Sequence, residues 1–536
     1  MKNFFILFIP SIFYVIFVFK LFEFQILKGN EYRNKSLSNH FYRISIKPAR
    51  GNIYDRNGKI LAGNTTNTKI FILSKNQDIL REYVSYISSL NGYYSELVDY
   101  KSFSTLVSRK DILENIVFIP FAERVYPYGE LTPHIVGYVN MEGNGVSGFE
   151  RVFNDSLIGT KGDVIIPIDA KLNITDRSKI VYNFPTKGKD YILTIDIDLH
   201  KFIDSILLNY EKAVVVVMKA NGEVLAMYSK PKFNPEMFQR GLTTAEWNYV
   251  NDKDLAPLVN RAISGLYPPG SVGKLLTTLI ALESGWNWKT SMPCQGAVAY
   301  GNHIFNDWSV HYYISDIKEA LEVSCNVYYY RLGRFLGLVR FTSFLKKIDI
   351  FNKKLTFFPD ENISFIPDSA WYMKNYRFIP GGAVLNLAIG QGELLLTPLA
   401  IAMLTGAIAN SGKMPYPKFY FGQEIKDTLK LPFSDSTLNI TKMAMLQVVK
   451  GPRATAGYIN WKLYIDGFSI NVAGKTGSSE NPHNKKTHSL FTAFAPYEKP
   501  EFIITAVVET AGHGSAVAVP VVYEILKWLL LHYYYQ

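Results

Sequence analysis

The longest apolar run of the chain lies at its N-terminus. Between Phe4 and Phe19 no residue is charged, and the apolar pattern resumes after Lys20 as far as Leu27. A membrane-spanning helix needs about 20 mostly apolar residues, and a lysine near its end can extend its ammonium group to the interface. Because no small-residue cleavage site follows, we expect an uncleaved anchor rather than a signal peptide or a buried helix. The pattern predicts a transmembrane helix with a short cytoplasmic end over residues 1–28.

The pattern of apolar and polar positions changes near Gly188. Before this point, short apolar stretches alternate with glycines and with the Asn57-Gly58 turn signal, which predicts a mixture of short strands and helices. After it, the pattern predicts two antiparallel strand pairs, within 214–228 and 490–508, separated by a long region with helical spacing. Strands at both ends of a helical region indicate an α+β fold, in which an antiparallel sheet is flanked by helices and accompanied by an all-helical part.

Composition narrows the class of protein. The chain has 536 residues, of which 48% are hydrophobic and 19% charged, so we expect a folded protein of about two to four domains. Its formal net charge is +11, but the lysines and arginines are scattered, and no basic stripe interleaves with aromatic residues. We therefore expect no nucleic-acid partner. Two cysteines in a chain of this length exclude a disulfide-rich scaffold.

The most informative local pattern surrounds Ser271. Two prolines and Gly270 stop the preceding segment, and the apolar run 275–282 ends before Gly285, so a buried helix is predicted to begin near Ser271. Lys274 then lies one turn further along the same face. A serine hydroxyl becomes a nucleophile when an adjacent base takes its proton, and a buried lysine with a lowered pKa can be that base. Backbone N–H groups at the helix start can stabilise an oxyanion.

Ser-x-x-Lys alone is weak evidence, because the pattern occurs four times, starting at Ser229, Ser271, Ser315 and Ser343. Two further motifs give it weight. Ser324-Cys325-Asn326 follows a helix predicted to open at Asp316, and Lys475-Thr476-Gly477-Ser478 follows a predicted strand over 470–474. A helix-start Ser-x-x-Lys, then Ser-x-Asn after a helix, then Lys-Thr-Gly after a late strand is the ordered signature of penicilloyl-serine transferases.

With these motifs, the chain resembles the class B penicillin-binding proteins over nearly its whole length. The resemblance is also carried by Arg50–Gly58, Arg124–Tyr128 and Gly148-Phe149-Glu150. It implies the penicillin-binding transpeptidase fold over residues 188–536, preceded by an extended mixed pedestal (dimerisation-like) domain over 29–187. The Tyr-Pro-Pro-Gly before Ser271 and the Asn-Asp-Trp at 306–308 are most similar to the elongation-type branch, penicillin-binding protein 2. The division-type branch is the alternative.

The resemblance implies a serine-type peptidoglycan D,D-transpeptidase that β-lactams inhibit covalently. Ser271 would attack the penultimate D-Ala carbonyl of a stem peptide and form an acyl-enzyme, with Lys274 as general base. Ser324 would relay a proton to the leaving D-Ala nitrogen, and Asn326 would hold the amide of the acyl donor. An amine from a neighbouring stem peptide would then attack the ester. This chemistry requires no cofactor.

The resemblance also assigns the Lys-Thr-Gly strand to substrate binding. Lys475 and Thr476 would bind the terminal carboxylate, Gly477 would lie beside them, and the backbone N–H groups of Ser478 and of the nucleophile would form the oxyanion hole. The chain departs from the family in Ser478-Ser479, where Thr-Ala is usual, and in Ser489, where Trp is frequent. Three further places match the family near the cleft or on the closing strands: Gly390-Gln391-Gly392, His488 and Glu509.

Both cysteines fall in the catalytic region, where a metal site is one of three interpretations. Asp307 and His311, as well as His303, lie between Cys294 and Cys325. Cys, His and Asp ligands suit tetrahedral Zn²⁺, and some sequences of the elongation-type branch have similar groups holding a metal in the corresponding segment. Cys294, Asp307, His311 and Cys325 are therefore candidate ligands of a structural zinc. Because their spacing matches no standard zinc finger, a disulfide and two unrelated buried thiols are the alternatives.

The resemblance also predicts location and partners. It places the catalytic domain outside the bacterial cytoplasmic (inner) membrane, on a single-pass anchor. Since no glycosyltransferase motif is recognisable, we expect a SEDS-type glycosyltransferase and other membrane proteins of the elongation complex as partners. The rival functions are a D,D-carboxypeptidase or β-lactamase, and a β-lactam sensor or inactive scaffold. No motif for a water-activating group supports a β-lactamase, and the intact serine and lysine motifs argue against an inactive scaffold.

Overall fold

A computed structural model describes residues 13–32, 40–73, 93–97, 116–169, 174–425, 427–481 and 484–535. Residues 13–22 are helical and continue into the π-helical segment Glu23–Leu27. Within the described ranges, no helix combines the length and the apolar character needed to cross a membrane. Residues 1–12 of the predicted anchor lie outside the described residues.

The described residues form nineteen strands and sixteen α-helices, numbered in chain order. The strands are β1 (Phe41–Ile46), β2 (Ile53–Tyr54), β3 (Ile60–Leu73), β4 (Tyr93–Leu97), β5 (Ile116–Val125), β6 (Gly162–Pro167), β7 (Val181–Asn183), β8 (Tyr191–Ile192), β9 (Ala213–Lys219), β10 (Val224–Lys230), β11 (Met292–Cys294), β12 (Ala297–Tyr300), β13 (His303–Asn306), β14 (Tyr312–Ile314), β15 (Lys413–Pro415), β16 (Thr428–Lys430), β17 (Ala473–Asn481), β18 (Asn484–Ala495) and β19 (Phe502–Val508). The helices are α1 (Pro133–Val136), α2 (Gly148–Val152), α3 (Asn154–Leu157), α4 (Ile197–Ile206), α5 (Met237–Arg240), α6 (Thr244–Val250), α7 (Arg261–Ser264), α8 (Lys274–Glu283), α9 (Ile317–Glu322), α10 (Asn326–Leu345), α11 (Ser369–Tyr376), α12 (Ala383–Ala388), α13 (Pro398–Ala409), α14 (Asp435–Lys450), α15 (Gly457–Ile465) and α16 (Ala518–Leu529).

Contacts divide the chain into two compact units. The smaller unit comprises residues 1–52, 63–125 and 155–189, and the larger unit comprises 53–62, 126–154 and 190–536. Two segments of the pedestal predicted over 29–187 therefore pack in the larger unit. The predicted domain limits at 28/29 and 187/188 stay a prediction.

The smaller unit contains an antiparallel sheet in the order β1-β6-β7. Phe41 pairs with Pro167 at one end of β1, and Ile46 pairs with Gly162 at the other. Alternate residues of β1 and β6 are buried, and Ile44, Val164 and their neighbours form one apolar cluster. This alternation is typical of a sheet with one covered face. In the same unit, β3 from residue 63 onward pairs with β4 and β5.

The larger unit is built on an antiparallel sheet in the order β10-β9-β19-β18-β17. Every residue of β19 is buried, so both faces of the sheet are covered, and α13 and α16 pack against it. The α+β prediction and both predicted strand pairs are confirmed. Ahead of this sheet, β8 is only two residues long and α4 ends at Ile206. The strand β17 forms one edge of the sheet.

The helix α8 is the centre of the helical part. All residues from Lys274 to Ala281 are buried. Both α10 and α14 pack against α8, and α12 packs against α10. Since α14 and the turn before α8 also contact β17, the start of α8, the start of α10 and the edge strand meet in one region.

Candidate active site

Ser271 lies on a tight turn rather than in the first turn of α8. Gly270–Gly273 form a 3₁₀ turn, and α8 begins directly after it at Lys274. The φ angle of Gly270 is +53°, and a Cβ there would lie 2.6 Å from the carbonyl oxygen of Ser478. The glycine therefore lets the nucleophile's turn approach the backbone of β17. Ser271 is half-buried at this contact.

Lys274 is fully buried and directed at the Ser-x-Asn motif. Its Nζ donates to Ser324 O at 2.7 Å and to Asn326 Oδ1 at 2.6 Å, and lies 3.2 Å from Ser324 Oγ. Burial lowers the pKa of Lys274 to about 8, against the opposing influence of Asp307 and the two cysteines. A lysine with this pKa is able to accept a proton near neutral pH.

The Ser-x-Asn motif joins two helices. Asp316 caps α9 by accepting from the N–H groups of Lys318 and Glu319, so the predicted helix opening is confirmed. Ser324 lies between α9 and α10 with φ +56°, a backbone conformation that side chains other than glycine rarely adopt. Asn326 is the first residue of α10. The strained junction directs both side chains toward Lys274.

The Lys-Thr-Gly motif lies within β17, which begins at Ala473, so the strand predicted over 470–474 starts later and contains the motif itself. Lys475 is fully buried, and its Nζ donates to Ser324 Oγ at 3.0 Å and to Thr476 O at 3.0 Å. Burial, and then the neighbouring Lys274, hold the pKa of Lys475 well below its ordinary value. The two lysines therefore converge on one hydroxyl.

Several of the residues predicted to carry catalysis or substrate binding line a cleft of about 470 Å³, together with others to which the sequence gave no such role. The predicted residues in its wall are Ser271, Ser324, Asn326, Thr476, Gly477 and Ser478. Further wall residues are Trp308, Ile389, Gln391, Thr455, Glu480, Thr487, His513, Ser515 and Ala516. Thr455 accepts a hydrogen bond from Thr476 Oγ1 at 3.2 Å. A volume of this size accommodates a small ligand or a short peptide end.

The four candidate metal ligands come together beside the cleft. One ligand atom from each of Cys294, Asp307, His311 and Cys325 lies within 4.8 Å of the others. Both cysteines are free thiols, with their sulfurs 2.8 Å apart, and Cys294 Sγ lies 3.3 Å from Asp307 Oδ2. The exposed His303 is not a member of this group.

Two observations on this group bear on metal binding. His311 Nε2 is buried and has no hydrogen-bond partner among the described residues, and it faces Asp307 Oδ1 at 3.8 Å. Burial raises the pKa of both thiols, Cys325 most strongly, so a cation is needed to favour their thiolate forms. Two sulfurs, one imidazole nitrogen and one carboxylate oxygen are a donor set that fits tetrahedral Zn²⁺.

The positions that depart from the family pattern differ in their surroundings. Ser478 lines the cleft and its Oγ accepts from the N–H of Gly514 at 3.1 Å. Ser479 and Ser489 are fully buried. Ser489 Oγ donates to His513 O and accepts from the N–H of Ala518, so it ties β18 to the start of α16. Only Ser478 of the three is therefore placed to touch a ligand.

His488 and Glu509 support the turn that leads to the nucleophile. Glu509 Oε1 accepts from Tyr267 Oη at 2.8 Å and from Arg261 Nε at 2.9 Å. The ring of His488 lies edge-on to that of Tyr267. Through these contacts both residues have a structural role at the turn.

Comparison with known proteins identifies the family. A model of the penicillin-binding protein transpeptidase domain matches residues 212–527, more than half of the chain. A model of the penicillin-binding protein dimerisation domain matches residues 45–193. The chain is a class B penicillin-binding protein. It is accordingly a serine-type peptidoglycan D,D-transpeptidase, and the resemblance seen in the motifs is confirmed.

Relatives of this penicillin-binding protein favour the elongation-type branch. The peptidoglycan D,D-transpeptidase MrdA of Acinetobacter baumannii is 27% identical, over 92% of this chain and 82% of its own length. MrdA of Haemophilus influenzae is 26% identical, over 95% of this chain and 88% of its own. The structure of penicillin-binding protein 2 in complex with MreC from Helicobacter pylori is 28% identical, with a TM-score of 0.78, and covers 92% of this chain and 100% of that one.

Proposed function

We propose that this penicillin-binding protein cross-links peptidoglycan stem peptides during cell elongation by way of an ester on Ser271. One observation carries the assignment of the site: two buried lysines converge on one hydroxyl beside the nucleophile. Nζ of Lys274 and Nζ of Lys475 lie 3.2 and 3.0 Å from Ser324 Oγ, at the wall of the cleft that Ser271 lines. Such an arrangement can move a proton between nucleophile and leaving group.

Acylation begins when Ser271 Oγ attacks the carbonyl carbon of the penultimate D-Ala of a donor peptide. Lys274 in its neutral form takes the hydroxyl proton. A proton then passes through Ser324 Oγ to the nitrogen of the terminal D-Ala. The peptide bond breaks, the free D-Ala leaves, and the donor peptide remains as an ester on Ser271.

Transfer to the acceptor reverses the direction of the proton. The amine of a neighbouring stem peptide attacks the ester carbonyl, and its proton returns through Lys274 to Ser271 Oγ as the ester bond breaks. The products are the cross-linked peptide and the free serine. In both half-reactions the N–H groups of Ser271 and Ser478 stabilise the oxyanion of the tetrahedral intermediate.

The substrate carboxylate is assigned to the middle of β17. Lys475 lies next to Thr476, whose hydroxyl opens into the cleft beside Thr455. An arriving carboxylate favours the charged form of the buried Lys475 and forms a charge-assisted hydrogen bond. Asn326, which lines the same cleft, is placed to hold the donor amide.

Labelling with fluorescent penicillin tests this assignment. Wild type is expected to form a stable covalent adduct and Ser271→Ala none. Ser343→Ala is the matched control, because Ser343 belongs to another Ser-x-x-Lys sequence outside the cleft. Equal labelling of wild type and Ser271→Ala would contradict the whole catalytic assignment.

The alternative functions that hydrolyse the acyl-enzyme, β-lactamase and D,D-carboxypeptidase, are distinguished from transpeptidation by two measurements, the lifetime of the penicilloyl adduct and the products formed from peptides. A transpeptidase that lacks a water-activating group retains its penicilloyl ester for far longer than the seconds of a β-lactamase turnover. A D,D-carboxypeptidase releases uncross-linked tetrapeptide when both donor and acceptor are supplied. Release of hydrolysed peptide without cross-linked dimer would favour that rival.

We further propose that the N-terminal apolar run anchors this protein in the bacterial cytoplasmic membrane, with the catalytic domain on the outer side. The support is the uncharged stretch from Phe4 to Phe19 and the helix over residues 13–22. Protease added to spheroplasts is expected to remove the catalytic domain from the outside. Protection of that domain would contradict this topology.

The expected partners are other proteins of wall elongation. The related penicillin-binding protein 2 of Helicobacter pylori was solved in complex with MreC, and an association of that kind is proposed for this chain. A SEDS-type glycosyltransferase is proposed to supply the glycan strands. Co-purification from detergent-solubilised membranes, with and without residues 1–28, tests both associations.

A structural zinc held by Cys294, Asp307, His311 and Cys325 is proposed in addition. When bound, the ion would supply no step of acyl transfer and would fix Cys325, which caps α10 by accepting from the N–H of Tyr328. Metal analysis of purified protein is expected to give close to one zinc per chain, and Cys294→Ser to lose it. His303→Ala is the matched control and retains the metal. A wild-type content below about 0.2 zinc per chain would end the proposal.

A further inference from the structure

The loop after α12 is packed against the turn of the nucleophile. The N–H of Gly270 donates to Gly390 O at 2.8 Å, and the N–H of Gln391 donates to Asn386 O at 2.9 Å. A Cβ at Gly390 would lie 2.0 Å from Gly270 O. The backbone of this loop is therefore fixed between α12 and the Ser271 turn.

The side chain of Gln391, the residue after Gly390, reaches the part of the cleft wall that β17 forms. Gln391 Nε2 donates to Ser478 O at 3.0 Å, and Gln391 Oε1 accepts from the N–H of Glu480 at 3.3 Å. These groups lie on β17, which pairs on its other side with β18. The Gln391 side-chain amide therefore bonds the carbonyl of Ser478 and the N–H of Glu480, two residues further along β17. A residue of a parallel neighbouring strand would form the same two hydrogen bonds with its backbone.

We infer that Gln391 is a positioning residue that clamps the edge of β17 to the Ser271 turn and so fixes the spacing of the two oxyanion N–H groups. The inference rests on the proposed function, in which the N–H groups of Ser271 and Ser478 stabilise the tetrahedral intermediate. Gly390 O holds Gly270, the residue before the first donor, and the Gln391 side chain holds Ser478, the second. Two adjacent residues of the loop therefore connect the positions of both donors.

The clamp should act on the chemical step more than on binding. Without the Gln391 side chain, the edge of β17 has free main-chain groups and can shift. A displacement of about 1 Å in an oxyanion site lowers the rate by on the order of a hundredfold. The carboxylate site at Lys475 and Thr476 lies ahead of the clamped residues, in the regular part of the β17–β18 pairing, which becomes irregular between Ser479 and Asn481. Initial binding is therefore expected to change little.

Stopped-flow acylation by a penicillin tests the inference, because it separates the dissociation constant of the first complex from the first-order acylation rate constant. Gln391→Met keeps the side-chain length but removes both hydrogen bonds. The expected result is a fall in the rate constant on the order of tenfold to a hundredfold, with a nearly unchanged dissociation constant. Gln391→Glu, whose carboxylate cannot donate to Ser478 O, is expected to fall at least as far.

The chain offers a matched control at Gln423. Its side chain makes the same pair of bonds outside the cleft, accepting from the N–H of Phe419 at 2.7 Å and donating to Pro417 O at 3.1 Å. Gln423→Met is expected to acylate at the wild-type rate. Thermal denaturation of both variants shows whether either substitution acts through folding.

Three results would overturn the inference. One is an unchanged rate constant in Gln391→Met, and another is a raised dissociation constant with an unchanged rate constant, which indicates direct ligand contact. The third is an equal loss of acylation in Gln423→Met, which indicates a general effect on stability. Failure of the proposed function is distinguished in the same assay, because Ser271→Ala would then still form the adduct.

Discussion

At the scale of single residues, the shared hydroxyl of Ser324 governs the chemistry. Both lysines that approach it are buried, and each disfavours a positive charge on the other. The protonation of the pair therefore determines whether the site is ready to take a proton from Ser271 or to attract a carboxylate.

The first prediction concerns the pH dependence of acylation. Burial lowers the pKa of Lys274 to about 8, and below that pH the amine is protonated and cannot accept the proton of Ser271. The acylation rate constant should rise about tenfold per pH unit and level off above pH 8. Stopped-flow measurements from pH 5 to 10 check this profile.

Lys274→Arg keeps the charge but cannot deprotonate in this range, so acylation should fall by on the order of 10²–10⁴-fold with no rise toward pH 8. Lys442→Arg is the control, since burial also lowers the pKa of Lys442, which donates to Ala409 O outside the cleft. A pH-independent wild-type rate would exclude Lys274 as the base.

The residues of the site that sequence could predict are those with a local pattern. Ser271 and Lys274 are three positions apart on one turn, and Ser324 and Asn326 flank a helix junction, so each pair is recognisable without the fold. Thr455 lines the same cleft, but no spacing in the sequence indicates it. It reaches the cleft because it follows α14, which packs against β17.

At the scale of elements, the turn before α8 makes a close contact with β17 at Gly270. Gly270→Ala would place a Cβ 2.6 Å from Ser478 O in a residue with φ +53°, so the turn and the strand must move apart. We expect acylation to fall by on the order of tenfold or more and the free energy of unfolding to fall by about 2 kcal/mol or more. Acylation kinetics and urea unfolding measure the two effects.

Gly467→Ala is the control for this prediction. Gly467 has φ +80° but nothing within 4 Å of its would-be Cβ, so the substitution carries only the backbone strain of about 1 kcal/mol. Equal effects of the two alanine variants on acylation would show that the contact with Ser478 is unimportant.

A buried ion pair couples the end of β19 to the segment before the nucleophile. Glu509→Gln leaves Arg261, which is almost fully buried, without its charged partner at 2.9 Å. The expected loss is about 3 kcal/mol of unfolding free energy. Lys527→Gln breaks the more exposed pair with Asp466 and should cost less than about 1 kcal/mol. Denaturant titration compares them, and similar losses would contradict the argument.

Elements with continuous apolar runs were predictable, and their limits were not. The strand pairs β9–β10 and β18–β19 follow from β-branched runs around turn signals. The start of β17 at Ala473 and the 3₁₀ turn at Gly270–Gly273 depend on contacts with distant segments. Local propensity carries no information on such contacts.

At the scale of the whole molecule, the residues proposed to anchor the protein and the residues of the cleft lie in different parts of the sequence. All residues of the cleft belong to the larger unit. A variant without residues 1–28 should therefore leave the membrane fraction and keep the wild-type rate of penicillin acylation. Cell fractionation and fluorescent labelling check both outcomes, and a truncated protein that stays with the membrane would contradict the proposed anchor.

The linear order of domains was predictable only in part. Motifs mark where each region begins, but residues 53–62 and 126–154 pack with the C-terminal part of the chain. Which compact unit such a segment joins depends on tertiary contacts between residues far apart in sequence. Neither the composition of the chain nor the spacing of its motifs indicates those contacts.

The position of β17 at the sheet edge also bears on how drug resistance can arise. The wall it presents to a ligand includes main-chain groups of Gly477 and Ser478, and a substitution changes a side chain but leaves the peptide group in place. Selection against β-lactams must therefore act through the turns and side chains around the strand. An inhibitor that directs its hydrogen bonds to this backbone keeps its partner atoms in folded single-substitution variants, except where proline removes an N–H group.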